Sequence, residues 1–209
     1  MDISLFNGFE QVGLIENSKS YFYEQKYNEV GNFEFSILTS DKHADRIKQK
    51  QTVQFGEDAI KTGIITDISI RKTTYGEREK VIKGKSLGNK LSNFTILPSK
   101  EYAEFQGYVD EVIKQAVRKN CIDCLDKNRK FSYLQIANPK MLSDIIRHKT
   151  RYKNLLLEIE NLTKIYELGW FIDFDITNQK WIFDIYKGVN RSVNQNKVTP
   201  MMIKRVVFQ

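Results

Sequence analysis

The hydrophobic residues of this chain change their spacing once, near Leu97. Before that point they alternate with polar residues, as they do over residues 32–38. After it they recur every three or four positions, as they do over residues 106–119. A period of two is typical of strands and a period of about 3.6 is typical of helices. The sequence therefore predicts an α+β fold, in which a β region comes before a region that contains helices.

The first region, residues 1–97, is predicted to be a small β-barrel or sandwich domain. Five or six short strands are separated by turn residues, a spacing that indicates either architecture. A short connecting helix is predicted over residues 40–50, because Ser40 or Asp41 can cap it. The predicted strands cover residues 3–6, 13–23, 32–38, 52–55, 63–70 and 80–86.

The second region, residues 98–209, is predicted to be an α+β domain made of helices and a β-hairpin. Helical spacing extends over residues 106–119 and 152–166, and Gly169 is placed to end the second helix. A shorter helix is predicted over residues 141–147. Two aromatic runs, WFIDFDI and KWIFDIY, are joined by turn residues and indicate the hairpin.

Composition limits the classes of protein to which the chain can belong. Hydrophobic residues make up 41% of it, including 13 Phe and 10 Tyr, which is typical of a globular protein. No apolar run is long enough to span a membrane, and the first residues do not resemble a secretory signal. We therefore expect a protein made in a cytoplasm, with no membrane partner.

A net charge of +7 leaves a nucleic-acid partner as an alternative. In that case the chain is a single-stranded nucleic-acid-binding module with a basic, aromatic surface, and Tyr21, Tyr23 or Phe33 would stack on bases. The charge argues against this, because residues 1–97 carry 14 basic and 13 acidic side chains. The excess of positive charge lies in residues 98–209.

No catalytic, cofactor-binding or metal-binding residues are predicted. Cys121 and Cys124 have the spacing of a redox pair or half a zinc site, but no second such pair exists. The carboxylates of Asp173, Asp175 and Asp184 could form an acid and base pair or bind a cation, which leaves a hydrolase as a third alternative. Solvent-facing positions on a hairpin explain them more simply. His148 lies among cations and is expected at a solvated helix end.

Four segments, taken together, resemble the tail hub proteins of siphophages and prophages, also called baseplate hub or tail-tip proteins. The likeness runs in register from about residue 8 to residue 192. It rests on aromatic and glycine positions in a fixed order. The segments are YFYEQKYNEVGNFEFSI, TGIITDISI, VIKGKSLGNKLSNFTIL and GWFIDFDITNQKWIFDIYKGVNRS.

The resemblance implies a non-enzymatic structural role in a phage virion. Three copies would form a homotrimeric ring that joins the tail tube and distal tail proteins to the tip and its fibres or spikes. DNA would pass through the lumen, and the subunit would assemble in the bacterial host cytoplasm. Members of this family usually continue into a second β domain, so the chain is expected to be the N-terminal portion of a longer hub or a reduced hub.

The resemblance also suggests residues for packing or subunit contacts. They are the aromatic residues and glycines of the four segments, together with one arginine: Tyr21, Tyr23, Tyr27, Gly31, Phe33, Phe35, Gly84, Trp170, Trp181, Gly188 and Arg191.

Overall fold

The structure is a computed structural model that describes residues 1–74, 76–98 and 100–189. Its first part is a single antiparallel sheet of seven strands, in the order β2-β1-β5-β6-β7-β4-β3. The strands are β1 (Ile3–Asn7), β2 (Glu10–Ile15), β3 (Ser20–Tyr23), β4 (Asn32–Leu38), β5 (Thr52–Phe55), β6 (Thr62–Lys72) and β7 (Arg78–Ser86).

The two edge strands of this sheet, β2 and β3, do not pair with each other in the described residues. The sheet is therefore open, and the predicted barrel or sandwich is confirmed in its sandwich-like form. One face carries a compact hydrophobic core in which Phe33, Phe35 and Phe55 are fully buried. The α+β class is also confirmed.

Two local predictions for this part were wrong. Residues 13–23 were expected to form one strand, but they contribute to β2 and β3, which lie at opposite edges of the sheet. Residues 16–19, which join them, are too few to cross a flat sheet of seven strands about 4.8 Å apart, so the sheet must curl and bring its two edges near each other. Residues 40–50 contain only the 3-10 turn Ala44–Arg46, and the Asp41 carboxylate accepts the His43 N–H at 2.8 Å.

The second part contains two small sheets and two α-helices. Strand β12 pairs with β11 in the predicted hairpin and with β9 in parallel, while β8 and β10 form a separate antiparallel pair. The elements are β8 (Ala103–Tyr108), α1 (Val109–Val117), β9 (Leu134–Ile136), β10 (Ile145–Thr150), α2 (Leu155–Ile165), β11 (Leu168–Asp175) and β12 (Lys180–Lys187).

The two longer predicted helices correspond to α1 and α2, and each begins at a side-chain hydrogen bond. The Glu111 carboxylate accepts the Tyr108 N–H at 3.0 Å, and the Asn154 side chain accepts the Leu157 N–H at 3.3 Å. Gly169 does not end α2 as expected, since it lies within β11. The helix ends at Ile165 with Tyr166 as its C-cap, and Glu167 adopts a left-handed φ of 53°.

The helix predicted over residues 141–147 is wrong, because residues 145–150 form β10. Met141 and Ser143 have φ values of 55° and 65°, which a right-handed helix does not allow. The Asp110 carboxylate instead accepts the N–H groups of Lys140 and Leu142, at 2.7 and 2.8 Å. These bonds hold the segment extended against the start of α1.

The division into domains at residue 97 stays a prediction. Residues 94–96 form hydrogen bonds with residues 152–155, including an N–H of Ile96 donated to the Lys153 carbonyl at 2.9 Å. Phe6 of β1 belongs to the hydrophobic core of the second part. The two parts of the chain therefore share a core at their contact. No helix within the described residues is long and apolar enough to cross a membrane.

Candidate functional site

Several of the predicted aromatic and glycine positions form the core of the first sheet. Phe33 and Phe35 are fully buried. Gly84 lies beside Phe33, and a Cβ added to Gly84 would come within 2.2 Å of the Phe33 ring. The glycine therefore makes room for the ring, and Phe33 is not available to stack on a base.

Tyr23 covers the edge of the same core. Its hydroxyl donates to the carbonyls of Ile60 and Thr62, at 3.1 and 3.2 Å. Burial, with a further contribution from the charge of Asp58, raises the pKa of Tyr23. The side chain therefore stays protonated and serves as a donor that ties β3 to the loop before β6.

Tyr27 connects the two parts of the chain. It lies in the loop between β3 and β4, residues 24–31, which we call the junction loop. Its hydroxyl donates to the Glu167 carbonyl at 2.9 Å and accepts the Gly188 N–H at 2.6 Å. Its backbone carbonyl accepts the Trp170 N–H at 3.1 Å. One residue of the first part thus holds both ends of the β11–β12 hairpin.

Three glycines, which have no side chain, allow this close approach. A Cβ on Gly169 would lie 2.6 Å from the Tyr27 ring, and one on Gly188 would lie 2.8 Å from its hydroxyl. A Cβ on Gly31, at the end of the junction loop, would lie 1.8 Å from the Glu24 carbonyl oxygen. The glycines are therefore steric requirements of the junction.

Charged groups of α2 add to the same contact. The Glu160 carboxylate accepts the Val30 N–H at 3.2 Å, and Glu29 forms an ion pair with Lys164. Of the predicted positions, the structure thus brings together Tyr27, Gly31, Trp170 and Gly188 at the junction.

A further predicted position, Trp181, lies away from the junction. Trp181 is buried in the second core and contacts Phe131 and Phe174 edge-on. Arg191 lies outside the described residues.

The edge strand β3 carries aromatic side chains that are available to a partner. Tyr21 is 47% exposed and Phe22 is 51% exposed. The sequence prediction included Tyr21 and missed Phe22, although the alternation of the strand places Phe22 on the opposite face from Tyr21 and Tyr23. Strand β3 therefore offers an aromatic ring on each face, next to an unpaired strand edge.

Two of the three carboxylates considered for hydrolysis have structural roles, and one of these two, Asp184, does not face solvent as expected. Asp184 is buried and binds Lys114 and Lys140 at 2.8 and 2.5 Å. Burial raises its pKa, but hydrogen bonds from the two lysines outweigh that effect and leave the pKa lowered. Asp175 accepts hydrogen bonds from Asn178 in the hairpin turn. Burial raises the pKa of the third carboxyl, Asp173.

The two cysteines and His148 also lie in positions that differ from those of a reactive site. Cys121 and Cys124 are buried free thiols, and burial raises the pKa of Cys121 to about 12. His148 does not lie at a solvated helix end as expected, because it is part of β10 and its Nε2 lies 2.6 Å from Glu158 Oε1. No group of three or more metal-binding side chains occurs among the residues that the structure describes.

A family model matches this chain, and the solved structures that are similar to it include two tail proteins. The model described as Siphovirus ReqiPepy6 Gp37-like protein matches residues 3–208. The 43 kDa tail protein of prophage MuSo2 from Shewanella oneidensis is similar, with a TM-score of 0.53 and 14% identity. The tail protein from Neisseria meningitidis MC58 is similar, with a TM-score of 0.51 and 13% identity. No curated protein sequence matches.

At these identities the two structures establish a shared fold. The match to the Shewanella protein covers 88% of this chain and 54% of that one, and the match to the Neisseria protein covers 87% and 49%. The chain thus spans about half the length of the solved structures that it matches.

Proposed function

The chain belongs to the siphovirus Gp37-like family, and from this premise we propose that it is a non-enzymatic structural subunit of a phage tail. The observation that carries the proposal is the family match over residues 3–208, on a fold that a prophage tail protein and a second tail protein share. More specifically, the subunit belongs to the hub at the tail tip. There it joins the tail tube and distal tail proteins to the fibres or spikes.

In this proposal the subunits form a homotrimeric ring around a lumen through which DNA passes. A ring needs heterologous contacts, in which one surface of a subunit meets a different surface of the next. The open sheet supports such contacts, because β2 and β3 each have one unpaired edge. The exposed rings of Tyr21 and Phe22 add apolar area at one of these edges.

The two parts of the chain then have different tasks. Residues 1–97 form the domain that carries the ring contacts, and residues 98–209 form the domain that presents attachment surfaces to other tail proteins. The junction loop keeps these surfaces in a fixed relation through Tyr27. The roles found for Asp175, Asp184 and Cys121 are structural, which supports a chain without enzymatic activity.

Light scattering and electron microscopy test the proposal. We expect the purified chain to have the mass of a trimer and to form rings in negative stain. Gold-labelled antibodies should bind phage particles at the tail tip. A strictly monomeric chain would contradict the ring, and labelling along the tail or on the head would contradict the position.

A pair of variants tests the edge strand. Phe22→Lys places a charge at the exposed edge next to Glu34 of β4, so it should leave the fold intact and weaken the trimer. Tyr152→Lys is the control, because Tyr152 is exposed and lies outside the first sheet. Equal trimer stability in both variants would exclude β3 from the contact.

A further inference from the structure

A cleft of about 790 Å³ lies where the first sheet meets the second part of the chain. Four cations line it, namely Lys50, Lys90, Arg129 and Lys130. None of the four forms an ion pair within the described residues, and no described Asp or Glu lines the cleft. A concave site that gathers one sign of charge attracts ligands of the opposite sign.

The cations come from both parts of the chain. Lys50 precedes β5, Lys90 lies in the 3-10 segment Leu87–Asn93, and Arg129 ends the 3-10 turn Lys127–Arg129. The near neutrality of residues 1–97, which argued against an anionic partner, therefore does not apply here. Folding combines basic residues that the sequence keeps apart.

Hydrogen bonds constrain two of these residues to different degrees. The backbone of Lys50 has a left-handed φ of 70°, which is uncommon for a lysine, and its N–H donates to the Ile65 carbonyl at 2.8 Å, so the point from which its exposed side chain starts is fixed. Arg129 donates from one guanidinium nitrogen to the Thr95 carbonyl at 2.7 Å. The guanidinium group is therefore positioned before any ligand arrives, which lowers the entropy lost on binding.

Amide and aromatic side chains complete the lining. The side chains of Gln49, Asn89, Asn93 and Asn128 each offer a hydrogen-bond donor and an acceptor, as peptide groups do. Tyr133 is 53% exposed and contacts the half-buried Phe9 edge-on, with ring centroids 5.3 Å apart. The cleft thus offers positive charge, amide pairing and an apolar surface together.

We infer that this cleft binds an acidic peptide segment, with at least one apolar or aromatic side chain, from another tail protein. The inference rests on the proposed function, since that is what makes a tail protein the partner. Single-stranded nucleic acid fits less well, because it needs successive aromatic faces for stacking. Of the other aromatic rings in the lining, Phe94, Phe131 and Trp181 are buried and Phe9 is half-buried, so among the described lining residues Tyr133 is the one aromatic side chain that is largely exposed.

Fluorescence anisotropy with the full chain tests the inference. The probe is a labelled peptide made of glutamate, aspartate, serine and phenylalanine, and its control replaces each acid by the matching amide. We expect the acidic peptide to bind and the neutral peptide to bind at least about tenfold more weakly. Equal binding of the two peptides, or no binding of the acidic peptide, overturns the inference.

A matched pair of double variants locates the site. Lys90→Glu with Lys130→Glu reverses two charges in the cleft, and Lys42→Glu with Lys100→Glu makes the same change in net charge on exposed residues elsewhere. The first pair should raise the Kd of the acidic peptide about tenfold or more, and the second less than about threefold. Equal effects of the two pairs overturn the site.

An oligothymidylate probe distinguishes the classes of ligand. If it binds more tightly than the acidic peptide and loses affinity in the cleft variant, the cleft takes nucleic acid and the peptide inference is wrong. Light scattering on the same samples reports the trimer separately. A wild-type trimer that does not bind the acidic peptide counts against the cleft alone, and a wild-type monomer that binds the peptide counts against the ring alone.

Discussion

Removing the hydroxyl of Tyr27 should weaken the junction by a measurable amount. Tyr27→Phe keeps the ring, which contacts Tyr186 with centroids 5.4 Å apart, and deletes the two hydrogen bonds to Glu167 and Gly188. A neutral hydrogen bond contributes about 0.5–1.5 kcal/mol net, so the pair contributes about 1–3 kcal/mol. Because Tyr27 is 37% exposed, water can hydrogen-bond to its partners in the variant and offsets part of the lost energy. We therefore expect Tyr27→Phe to lower the free energy of unfolding by about 1–2 kcal/mol.

Calorimetry and urea unfolding measure this loss. For a chain of this length, a loss of about 1–2 kcal/mol lowers Tm by roughly 2–8 °C. Tyr21→Phe is the matched control, since Tyr21 is exposed on β3, and its change should stay within about 0.5 kcal/mol. Hydrogen exchange adds a local measurement, because the Gly188 N–H loses its acceptor and should exchange faster in Tyr27→Phe. Equal stability of the two variants, with unchanged Gly188 exchange, would refute the role given to Tyr27.

Three further predictions concern the cores. Gly84→Ala should destabilise the first sheet by about 3 kcal/mol or more, because its methyl group overlaps the Phe33 ring; a urea midpoint near that of wild type would contradict this. Asp184→Asn leaves Lys114 buried without its counterion and should cost about 2–4 kcal/mol at neutral pH. Since the folded-state pKa of Asp184 is lowered, its contribution is present above the ordinary carboxyl pKa of about 3.9 and is lost as pH falls through the lowered value. The difference between the free energies of unfolding of wild type and Asp184→Asn, measured in urea, should therefore become smaller in acid. Cys121 should react with a thiol reagent only after unfolding, and rapid labelling of the native protein would contradict its burial.

Alternation along the first sheet could be read from the sequence because it is a local property. Strands β4 and β5 have the bounds that were predicted, since polar and apolar residues alternate along β4 as far as Ile37 and along all of β5. The hairpin β11–β12 was predicted for the same reason. Periodicity does not say which strands become neighbours, so the split of residues 13–23 between two sheet edges was missed.

Long-range hydrogen bonds account for the other errors. The extended path near residue 141 depends on Asp110, about 30 residues earlier, and no local pattern contains that information. The junction is a stronger case, because Tyr27 bonds to residues 140 and 161 positions away. The sequence suggested that Tyr27 and Gly188 matter for packing. It did not indicate that they touch each other.

The position of the junction loop gives the proposed ring a mechanical consequence. Strand β3 ends at Tyr23, and the junction loop follows directly. A partner that pairs with β3 therefore constrains the position of the loop that contains Tyr27. The loop is bonded to α2 through the ion pair between Glu29 and Lys164, and to the β11–β12 hairpin through the hydrogen bond from the Gly188 N–H to the Tyr27 hydroxyl. Strand β2, at the other edge, pairs with β1 in the described residues and directly follows Phe9, whose ring stacks on Phe174 of β11 with centroids 5.3 Å apart. In the proposed ring, a contact at β3 therefore acts on the second part of the subunit through hydrogen bonds and an ion pair, whereas a contact at β2 acts on it through aromatic packing.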